Sequence, residues 1–171
     1  MAFDYQPTLA GDLVSLRPLQ PDDYDDLYAV ARDPLIWEQH PKSDRYQEPV
    51  FKTLFQDALD SGGALIVIDQ QTQKIIGSTR YHGYDPSKSE VEIGWTFLAR
   101  SHWGGKYNGD MKRIMLEHAF LFVKHVVLMV APRNLRSMRA VEKIGGTRRA
   151  MRPDATGTTS YEYVVTSGHL G

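Results

Sequence analysis

Seven segments of the chain have the apolar patterns that are typical of β-strands. In some of them apolar and polar residues alternate, and in others four or more apolar residues follow one another. The segments are 13–17, 64–69, 75–81, 90–98, 126–130, 147–151 and 160–165. Only short turns separate the second segment from the third and the sixth from the seventh, so each of these two pairs is predicted to associate.

Four other segments have apolar residues spaced by three or four positions, as on the buried face of an amphipathic helix. These segments are approximately 22–31, 48–61, 110–124 and 133–143. Paired glycines follow the second and the fourth segments, where they are typical helix stops. The order of elements, β-α-α-β-β-β-α-β-α-β-β, predicts one α/β (α+β) domain over residues 1–171. Its mixed, mostly antiparallel central sheet would be flanked by helices.

A glycine-bearing stretch, 103–109, connects the strand at 90–98 to the helix at 110–124. This arrangement can bind phosphates, because glycines let the backbone approach a ligand and the first N–H groups of a helix lack helical partners. The helix dipole favours negative charge there, and Lys106 adds a positive charge within the loop. Such a turn also occurs as a simple connection, so this stretch alone leaves both interpretations open.

The composition is that of an ordinary soluble protein, with 42% hydrophobic and 24% charged residues in a chain of 171. The chain has no cysteine, which excludes disulfides, thiolate metal sites and cysteine nucleophiles. There is no apolar run of bilayer-spanning length and no apolar N-terminal signal segment, so we expect a cytoplasmic protein without membrane partners. A net charge of −1 argues against a general nucleic-acid binder.

Charge is distributed unevenly between the two halves of the chain. Residues 1–85 have 7 Lys and Arg against 14 Asp and Glu, a net charge of −7. Residues 86–171 have 13 Lys and Arg against 7 Asp and Glu, a net charge of +6. A basic half that contains the glycine loop suits an anionic cofactor, and an acidic half suits a cationic substrate. The alternative is an uneven scatter without functional meaning.

Three further motifs accompany the glycine loop, namely Glu92-Ile93-Gly94-Trp95, Asn134-Leu135-Arg136-Ser137 and Glu142-Lys143-Ile144-Gly145. With them the chain, from residue 13 to about 165, resembles the GNAT (GCN5-related) N-acetyltransferases. More narrowly, it is similar to the branch that includes the ribosomal-protein N-terminal acetyltransferases. The resemblance implies a GNAT-like fold and the transfer of an acetyl group from acetyl-CoA to an amine acceptor.

The loop departs from the family's usual pattern, Gln/Arg-x-x-Gly-x-Gly/Ala. Lys106 and Asn108 stand at its two glycine positions, while Gly105 comes one place early and Gly109 one place late. Lys106 is expected to replace a backbone contact to the pyrophosphate with a charged one.

The resemblance also implies which residues bind acetyl-CoA. The strand that ends at Leu98 is expected to separate from the strand at 126–130, so that the pantetheine arm fills the gap like an added strand. Asn134 is expected to meet the pantetheine, because its side chain both donates and accepts hydrogen bonds. The implied cofactor-binding residues are Thr96, Phe97, Leu98, Arg100, Trp103, Gly104, Gly105, Lys106, Tyr107, Asn108, Gly109 and Asn134.

Amine transfer requires a base, since an alkyl ammonium with a pKa of ~10.4, or an α-amine with ~8, cannot attack while protonated. Glu92 is the candidate base, because related enzymes often have an acid at this strand position, and Glu90 lies on the same strand face. The resemblance implies that Ser137, one turn after Asn134, donates a proton to the departing thiolate. The alternatives are that both glutamates are solvated strand charges and that Ser137 caps or packs its helix.

Trp37, His40 and Tyr81 are the candidate substrate-binding residues. The first two lie where the family has its variable substrate loop, although aromatic residues there also serve as packing. No metal is expected, because the histidines lack a ligand spacing supported by carboxylates. A protein N-terminus, a polyamine-like amine and an aminoglycoside all stay open as acceptors.

Two functions of different classes fit these observations. The first is an N-acetyltransferase that moves acetyl directly from acetyl-CoA to a primary amine, and the absence of cysteine agrees with a route without an acyl-enzyme. The second is a catalytically inactive CoA-binding module with the same fold, suggested by the altered loop. Transfer of a longer acyl group is a third hypothesis. A homodimer is expected only because two-fold assemblies are common.

Overall fold

The computed structural model of the protein describes residues 2–169, which contain an eight-stranded sheet and four α-helices. The strands are β1 (Leu9–Ala10), β2 (Val14–Pro18), β3 (Ala64–Asp69), β4 (Ile75–Asp85), β5 (Glu90–Leu98), β6 (His125–Val130), β7 (Thr147–Pro153) and β8 (Thr159–Thr166). The helices are α1 (Tyr24–Ala31), α2 (Glu48–Ser61), α3 (Lys106–Ala119) and α4 (Leu135–Lys143).

The strands lie in the order β1-β2-β3-β4-β5-β6-β8-β7. Every neighbouring pair is antiparallel except β5 and β6, which are parallel. Both predicted strand pairs, β3 with β4 and β7 with β8, are present. The prediction of a mixed, mostly antiparallel sheet flanked by helices is therefore confirmed.

The element boundaries differ from the predicted ones in a few places. β1 is a two-residue strand, paired with β2, that the apolar pattern did not reveal. Helix α3 begins at Lys106, four residues before the predicted start, because Gly105 has a φ of 97° and caps the helix. The prediction of a loop over 103–109 was therefore wrong for residues 106–109, which form the first turn of α3.

The central strand β3 is buried on both faces, which explains why its sequence is apolar without alternation. Leu65 and Val67 pack in the core cluster that includes the buried side of α3, while Ala64 and Ile66 pack with α1 and α2 on the other face. Successive residues of a strand point to opposite faces, so a strand covered on both sides is apolar throughout. Among residues 2–169, no helix has both the length and the apolar content to cross a membrane.

β5 and β6 pair only where they begin, with Glu90–Glu92 opposite His125–Val127. Further along, β5 has a bulge: Arg80 of β4 lies opposite Gly94, but Ser78 lies opposite Phe97. Two residues of β5 therefore face one of β4, and a bulge of this kind bends its strand. Trp95 lies within the bulge and has a φ of 53°. The expected separation of the two strands is confirmed, and it opens a gap beyond Glu92.

Candidate active site

A cleft of about 860 Å³ occupies the gap between the separated halves of β5 and β6. Residues 92–98 of β5 line one wall and residues 128–131 line the other. A strand rises about 3.3 Å per residue, so Glu92 and Leu98 lie roughly 20 Å apart along this wall. We call the part beyond Leu98 the glycine end; it is lined by Gly104, Gly105, Asn108 and Lys143. We call the part around Glu92 the carboxylate end; it is also lined by His40, Arg45, Arg80 and Asp154.

The glycine end contains the N-terminus of α3. Gly104 and Gly105 have φ values of 113° and 97°, a left-handed region that glycine adopts without strain. The N–H of Gly109 donates to the carbonyl of Gly105 at 2.8 Å, so the N–H groups that precede it in the helix have no intrahelical acceptor. Gly105 has no side chain with which to cap them. These N–H groups and the helix dipole together favour an anion.

Asp110 fixes this helix terminus to the sheet. Its carboxylate accepts hydrogen bonds from the backbone N–H groups of Asp12, Leu13 and Val14 at 2.8–3.1 Å. Burial acts to raise the pKa of Asp110, but the hydrogen bonds, including one from Arg113, outweigh burial and the pKa lies below its ordinary value. The charged carboxylate is thus a stable anchor, and it holds the start of α3 beside the cleft.

Helix α4 supplies positive charge to the glycine end. The Lys143 ammonium lies 2.8 Å from the position that a Cβ would occupy on Gly105. Arg136 stacks its guanidinium 3.8 Å from the ring centroid of Trp103. Lys106, the expected charged residue of the loop, is exposed and does not line the cleft. The cation that lies against the glycine loop therefore belongs to Lys143, which the sequence showed only as part of a family motif.

Asn134 and Ser137 both line the cleft at the start of α4. Asn134 is the N-cap, and its side-chain oxygen accepts a hydrogen bond from the N–H of Ser137 at 3.2 Å. Asn134 therefore caps the N-terminus of α4, and the alternative that Ser137 is the cap is wrong. Within the part of the chain that the structure describes, the Ser137 hydroxyl has no hydrogen-bond partner.

The two neighbouring glutamates of β5 have different environments. Glu90 forms an ion pair with Arg149 at 3.0 Å and lies outside the cleft. Glu92 lines the cleft, and no cation within residues 2–169 forms an ion pair with it. Burial raises the pKa of Glu92 to about 7, although the positive charges of Arg152 and Arg80 oppose this change. Glu92 can therefore exchange a proton near neutral pH.

Gly94 keeps open the space beside Glu92. A Cβ at position 94 would lie 3.2 Å from the Glu92 carboxylate oxygen, which is tighter than an ordinary contact. A larger residue here would push against the carboxylate. The Glu-Ile-Gly spacing thus leaves room for another group next to Glu92.

Lys112 lies in the middle of the cleft and was not predicted. It is 5% exposed, and its ammonium donates to the Thr96 hydroxyl at 3.0 Å, which in turn lies 2.9 Å from that of Thr79. Burial lowers the pKa of Lys112 to about 8. One signal was available, because Met115, Leu116 and Ala119 lie three, four and seven positions later and place Lys112 on the apolar face.

The predicted cofactor-binding residues divide into two groups. Those that line the cleft are Thr96, Phe97, Leu98, Trp103, Gly104, Gly105, Asn108 and Asn134. Those that do not are Arg100, Lys106, Tyr107 and Gly109. Arg100 forms an ion pair with Asp33 outside the cleft, and the ring of Tyr107 packs against His102. The N–H of Gly109 is used within the helix.

The predicted substrate-binding residues also divide. Trp37 and His40 line the cleft, although Trp37 is only 3% exposed and donates its ring N–H to the carbonyl of Ala31. Tyr81 does not line the cleft, and its placement there was wrong. It is 1% exposed and donates its hydroxyl to the carbonyl of Met115 under α3. Neighbouring strand residues point to opposite faces, so Arg80 faces the cleft where Tyr81 was expected.

His40 is partly buried and lies beside positively charged side chains. Its Nδ1 accepts the backbone N–H of Lys42 at 2.9 Å, and its Nε2 lies 3.4 Å from the guanidinium of Arg45. Burial and the charge of Arg45 lower the pKa of His40 to about 4. His40 is therefore neutral near pH 7. In the described part of the chain, no three His, Asp or Glu side chains form a cluster that could hold a metal ion.

Residues 14–147 match the model of the acetyltransferase (GNAT) domain family. No curated protein matches the chain in sequence. Among solved structures, a GCN5-related N-acetyltransferase from Brucella melitensis has a TM-score of 0.81 and 18% identity, covering 96% of this chain and 80% of that one. A GNAT-family acetyltransferase from Bacillus anthracis has a TM-score of 0.76 and 17% identity, with 94% and 98% covered.

A third structure, Mycobacterium smegmatis RimJ in complex with CoA-disulfide, has a TM-score of 0.72 and 16% identity, covering 99% of this chain and 92% of that one. At these identities the structures show a common fold, and the family match extends the likeness to the sequence.

Proposed function

The chain belongs to the GNAT acetyltransferase family, a family of acetyl-CoA-dependent acyltransferases, and on that premise we propose that it transfers acetyl directly from acetyl-CoA to a primary amine. The observation that carries the proposal is the continuity of one cleft. It joins an uncapped helix N-terminus at the glycine end to a half-buried carboxylate without an ion-pair partner in the described chain at the other end. A donor and an acceptor could therefore meet along β5.

The glycine end would bind the diphosphate of acetyl-CoA. The backbone N–H groups around Gly105 and Asn108 and the ammonium of Lys143 offer both hydrogen bonds and positive charge. The edge of β5 that faces β6 has no strand partner after Glu92, so backbone groups of 96–98 on this edge are available to the amides of the pantetheine arm. The Leu98 carbonyl is the exception, because it accepts the ring N–H of Trp103 at 2.9 Å. Asn134 would meet the same arm from the opposite wall.

Glu92 would accept the proton of the acceptor amine. A base with a pKa of about 7 is largely ionised at a slightly alkaline pH, so it can take a proton from the ammonium and leave a neutral amine, which then attacks the thioester. Ser137 would donate to the sulfur that leaves, since Ser137 lines the cleft and its hydroxyl has no hydrogen-bond partner in the described chain. A backbone N–H near Phe97 would stabilise the oxyanion.

A CoA-binding module without turnover is the second candidate. The departure of the loop from the family pattern motivates it, but such a module would not need a half-buried carboxylate without an ion-pair partner, whose raised pKa reflects the energetic cost of its charge. Glu92 therefore favours the enzyme. A cytoplasmic location, a homodimer, the absence of nucleic-acid and membrane partners and the choice of acetyl over longer acyl groups stay predictions.

The test is release of free thiol from acetyl-CoA by the purified protein in the presence of a panel of primary amines. We expect thiol release that depends on both the amine and Glu92, with Glu92→Gln inactive and Glu90→Gln active. Glu90 is a matched control on the same strand face, outside the cleft. Binding of acetyl-CoA by calorimetry without thiol release for any amine would support the module instead.

A further inference from the structure

Two buried arginines at the carboxylate end, Arg45 and Arg80, form no ion pair with Glu92 or with another described carboxylate. Arg45 is 9% exposed and Arg80 is 6% exposed, and both line the cleft. Within residues 2–169, neither forms an ion pair within 4.0 Å. Buried charges in proteins are normally paired, because an unpaired one loses its hydration without compensation. The pair therefore requires an explanation.

The guanidinium of Arg80 is only partly satisfied. Its Nε is buried and has no hydrogen-bond partner in the described chain. Its Cζ lies 4.4 Å from the ring centroid of Trp95, a stacking contact that leaves the polar edge of the guanidinium unused. Burial lowers the pKa of Arg80 to about 10, and the nearby charge of Arg45 acts in the same direction. Arg80 thus stays a cation in the physiological range.

Arg45 has one polar contact, the Nε2 of His40 at 3.4 Å. His40 is neutral near pH 7 and cannot offset a positive charge. Burial lowers the pKa of Arg45, while the charges of Asp44 and Asp154 raise it. Both arginines therefore contribute positive charge to one end of the cleft.

The carboxylates that act on these arginines form no ion pair with them in the described chain. Glu92 lies nearby on β5 and its pKa is raised to about 7, so it is only partly ionised near neutral pH. Asp154 accepts hydrogen bonds from the backbone of Thr156 and Thr158 and from the hydroxyl of Ser160, which close its own turn. Asp57, the carboxylate that acts most strongly on Arg80, is exposed on α2 and forms no ion pair with it. The missing anion is therefore not supplied by these side chains.

We propose that Arg80 and Arg45 bind an anionic group of the acceptor, so that the acceptor is a primary amine with a carboxylate or phosphate a few bonds from its nitrogen. This inference rests on the proposed function. It replaces the expectation of a purely cationic acceptor that the acidic N-terminal half suggested.

The register of β4 and β5 supports the short spacing between the two charges. Arg80 lies opposite Gly94, and His82 lies opposite Glu92, so Arg80 and Glu92 are diagonal neighbours on one face of the sheet. Such neighbours are roughly 7–8 Å apart at the backbone. Gly94 has no side chain to fill the space between them. An ammonium beside Glu92 and an anion beside Arg80 would span this gap.

The test compares matched amines at saturating acetyl-CoA by thiol release. The pairs are β-alanine with propylamine, O-phosphoethanolamine with ethanolamine, and the C-terminally amidated dipeptides Glu-Ala-NH2 with Gln-Ala-NH2. We expect kcat/KM to be at least about tenfold higher for the anionic member of at least one pair, because a built polar site rejects an analogue that leaves it unpaired. The pair with the largest ratio of kcat/KM shows which kind of acceptor fits best: a small carboxylate, a phosphate or an acidic peptide N-terminus.

Arg80→Gln and Arg45→Gln are each expected to remove this preference, measured as the ratio of kcat/KM between the anionic and the neutral member of a pair. Arg32→Gln, an exposed arginine outside the cleft, is the control and should keep it. Equal losses for anionic and neutral amines, or a wild-type preference for neutral amines, would overturn the inference. Should Arg80→Gln fail to fold, Arg45→Gln and Arg80→Lys decide, and the lysine variant should retain part of the preference.

Calorimetric binding of the anionic amines to the CoA-saturated protein tests the anion site separately from the transferase activity. Binding that requires Arg80 but leads to no thiol release would retain the anion site and reject the proposed transferase. Thiol release without any effect of Arg80 or Arg45 would retain the transferase and reject the anion site. If no amine of the panel binds and none leads to thiol release, both the anion site and the transferase are rejected.

Discussion

The two ends of the cleft are built in different ways. The glycine end is made mainly from one continuous stretch, 103–108, which contains the N-terminus of α3 and its backbone N–H groups without intrahelical acceptors. The carboxylate end is made from side chains of four separate segments, around Arg45, Arg80, Glu92 and Asp154. Backbone sites follow from local sequence, whereas a set of buried charges exists only after distant segments have packed together.

The ends also differ in how charge is stabilised. At the glycine end the charges are near the surface, and Lys143 is exposed. At the carboxylate end Arg45 and Arg80 are buried and unpaired in the described chain. Substitutions should therefore have small effects at the first end and large, ligand-specific effects at the second.

The largest effect is expected from Glu92→Gln at the carboxylate end. Loss of the general base should lower kcat by about 10²- to 10⁴-fold, while acetyl-CoA binds as before. In the wild type, kcat/KM should rise with pH and level off above about 7, because Glu92 acts only when ionised. The variant should lack this inflection in steady-state assays between pH 5.5 and 9. An unchanged pH profile in the variant would remove Glu92 from the role of base.

The linked effect on stability has a definite sign. Burial raises the folded-state pKa of Glu92, so its favourable contribution is complete below the unfolded value of 4.5 and is lost as pH rises through about 7. Glu92→Gln should therefore gain stability relative to the wild type over this pH window, as measured by urea unfolding.

Ser137→Ala tests the proposed proton donor, as Glu92→Gln tests the proposed base. Loss of the proton donor to the thiolate should lower kcat by about 10²-fold and leave the Kd of acetyl-CoA within about twofold. Ser43→Ala, an exposed serine outside the cleft, is the control. A fall in thermal stability with unaltered turnover would show instead that Ser137 serves the packing of α4.

Lys112→Met tests the buried cation between the two ends. Methionine has similar length, and replacing the unpaired ammonium should stabilise the fold at pH 7 by roughly 1–3 kcal/mol, as measured by urea unfolding. The pKa of Lys112 is lowered to about 8, so its penalty is complete below pH 8 and disappears as pH rises toward the unfolded value of 10.5. The advantage of the variant should shrink accordingly. Lys124→Met, at an exposed site, should show neither effect.

The smallest effect is expected at the glycine end, from Lys143→Met. Loss of one exposed cation from a site made largely of backbone should weaken acetyl-CoA binding by about 3- to 10-fold, and less at high salt. Lys106→Met, within the same loop but outside the cleft, should change the Kd by less than about twofold. A larger rise in the calorimetric Kd for Lys106→Met than for Lys143→Met would show that Lys106 is the charged contact to the diphosphate.

The elements that the sequence predicted best are those with a strong local signal. The unbroken apolar run of β3 and the helical spacing of α3 gave their types, and the glycine loop gave the position of the helix N-terminus within four residues. The choice between Arg80 and Tyr81 depended on strand register, and a shift of one residue exchanges the two faces of a strand. Apolar periodicity cannot show which face of β4 borders a cleft.

Arg45 and the bulge at Trp95 have no local signal in the sequence. The apolar spacing places Lys112 on the buried face of its helix, but it does not show that this face borders a cleft. A lysine on an apolar helix face and an arginine in a polar loop become site residues only through their neighbours in space. A positive φ at tryptophan is uncommon, and no sequence pattern announces it. The separation of β5 from β6 was expected from the resemblance to a family, and the bulge now gives it a physical cause.

A crystal structure of the protein with bound coenzyme A would test directly whether the cleft between β5 and β6 is the coenzyme site. We predict that the pantetheine arm lies between residues 96–98 of β5 and residues 128–131, with the diphosphate within hydrogen-bond distance of the backbone at 104–108. The thiol should point toward Glu92 and Ser137. A coenzyme bound elsewhere, or β5 and β6 paired along their full length, would contradict this account.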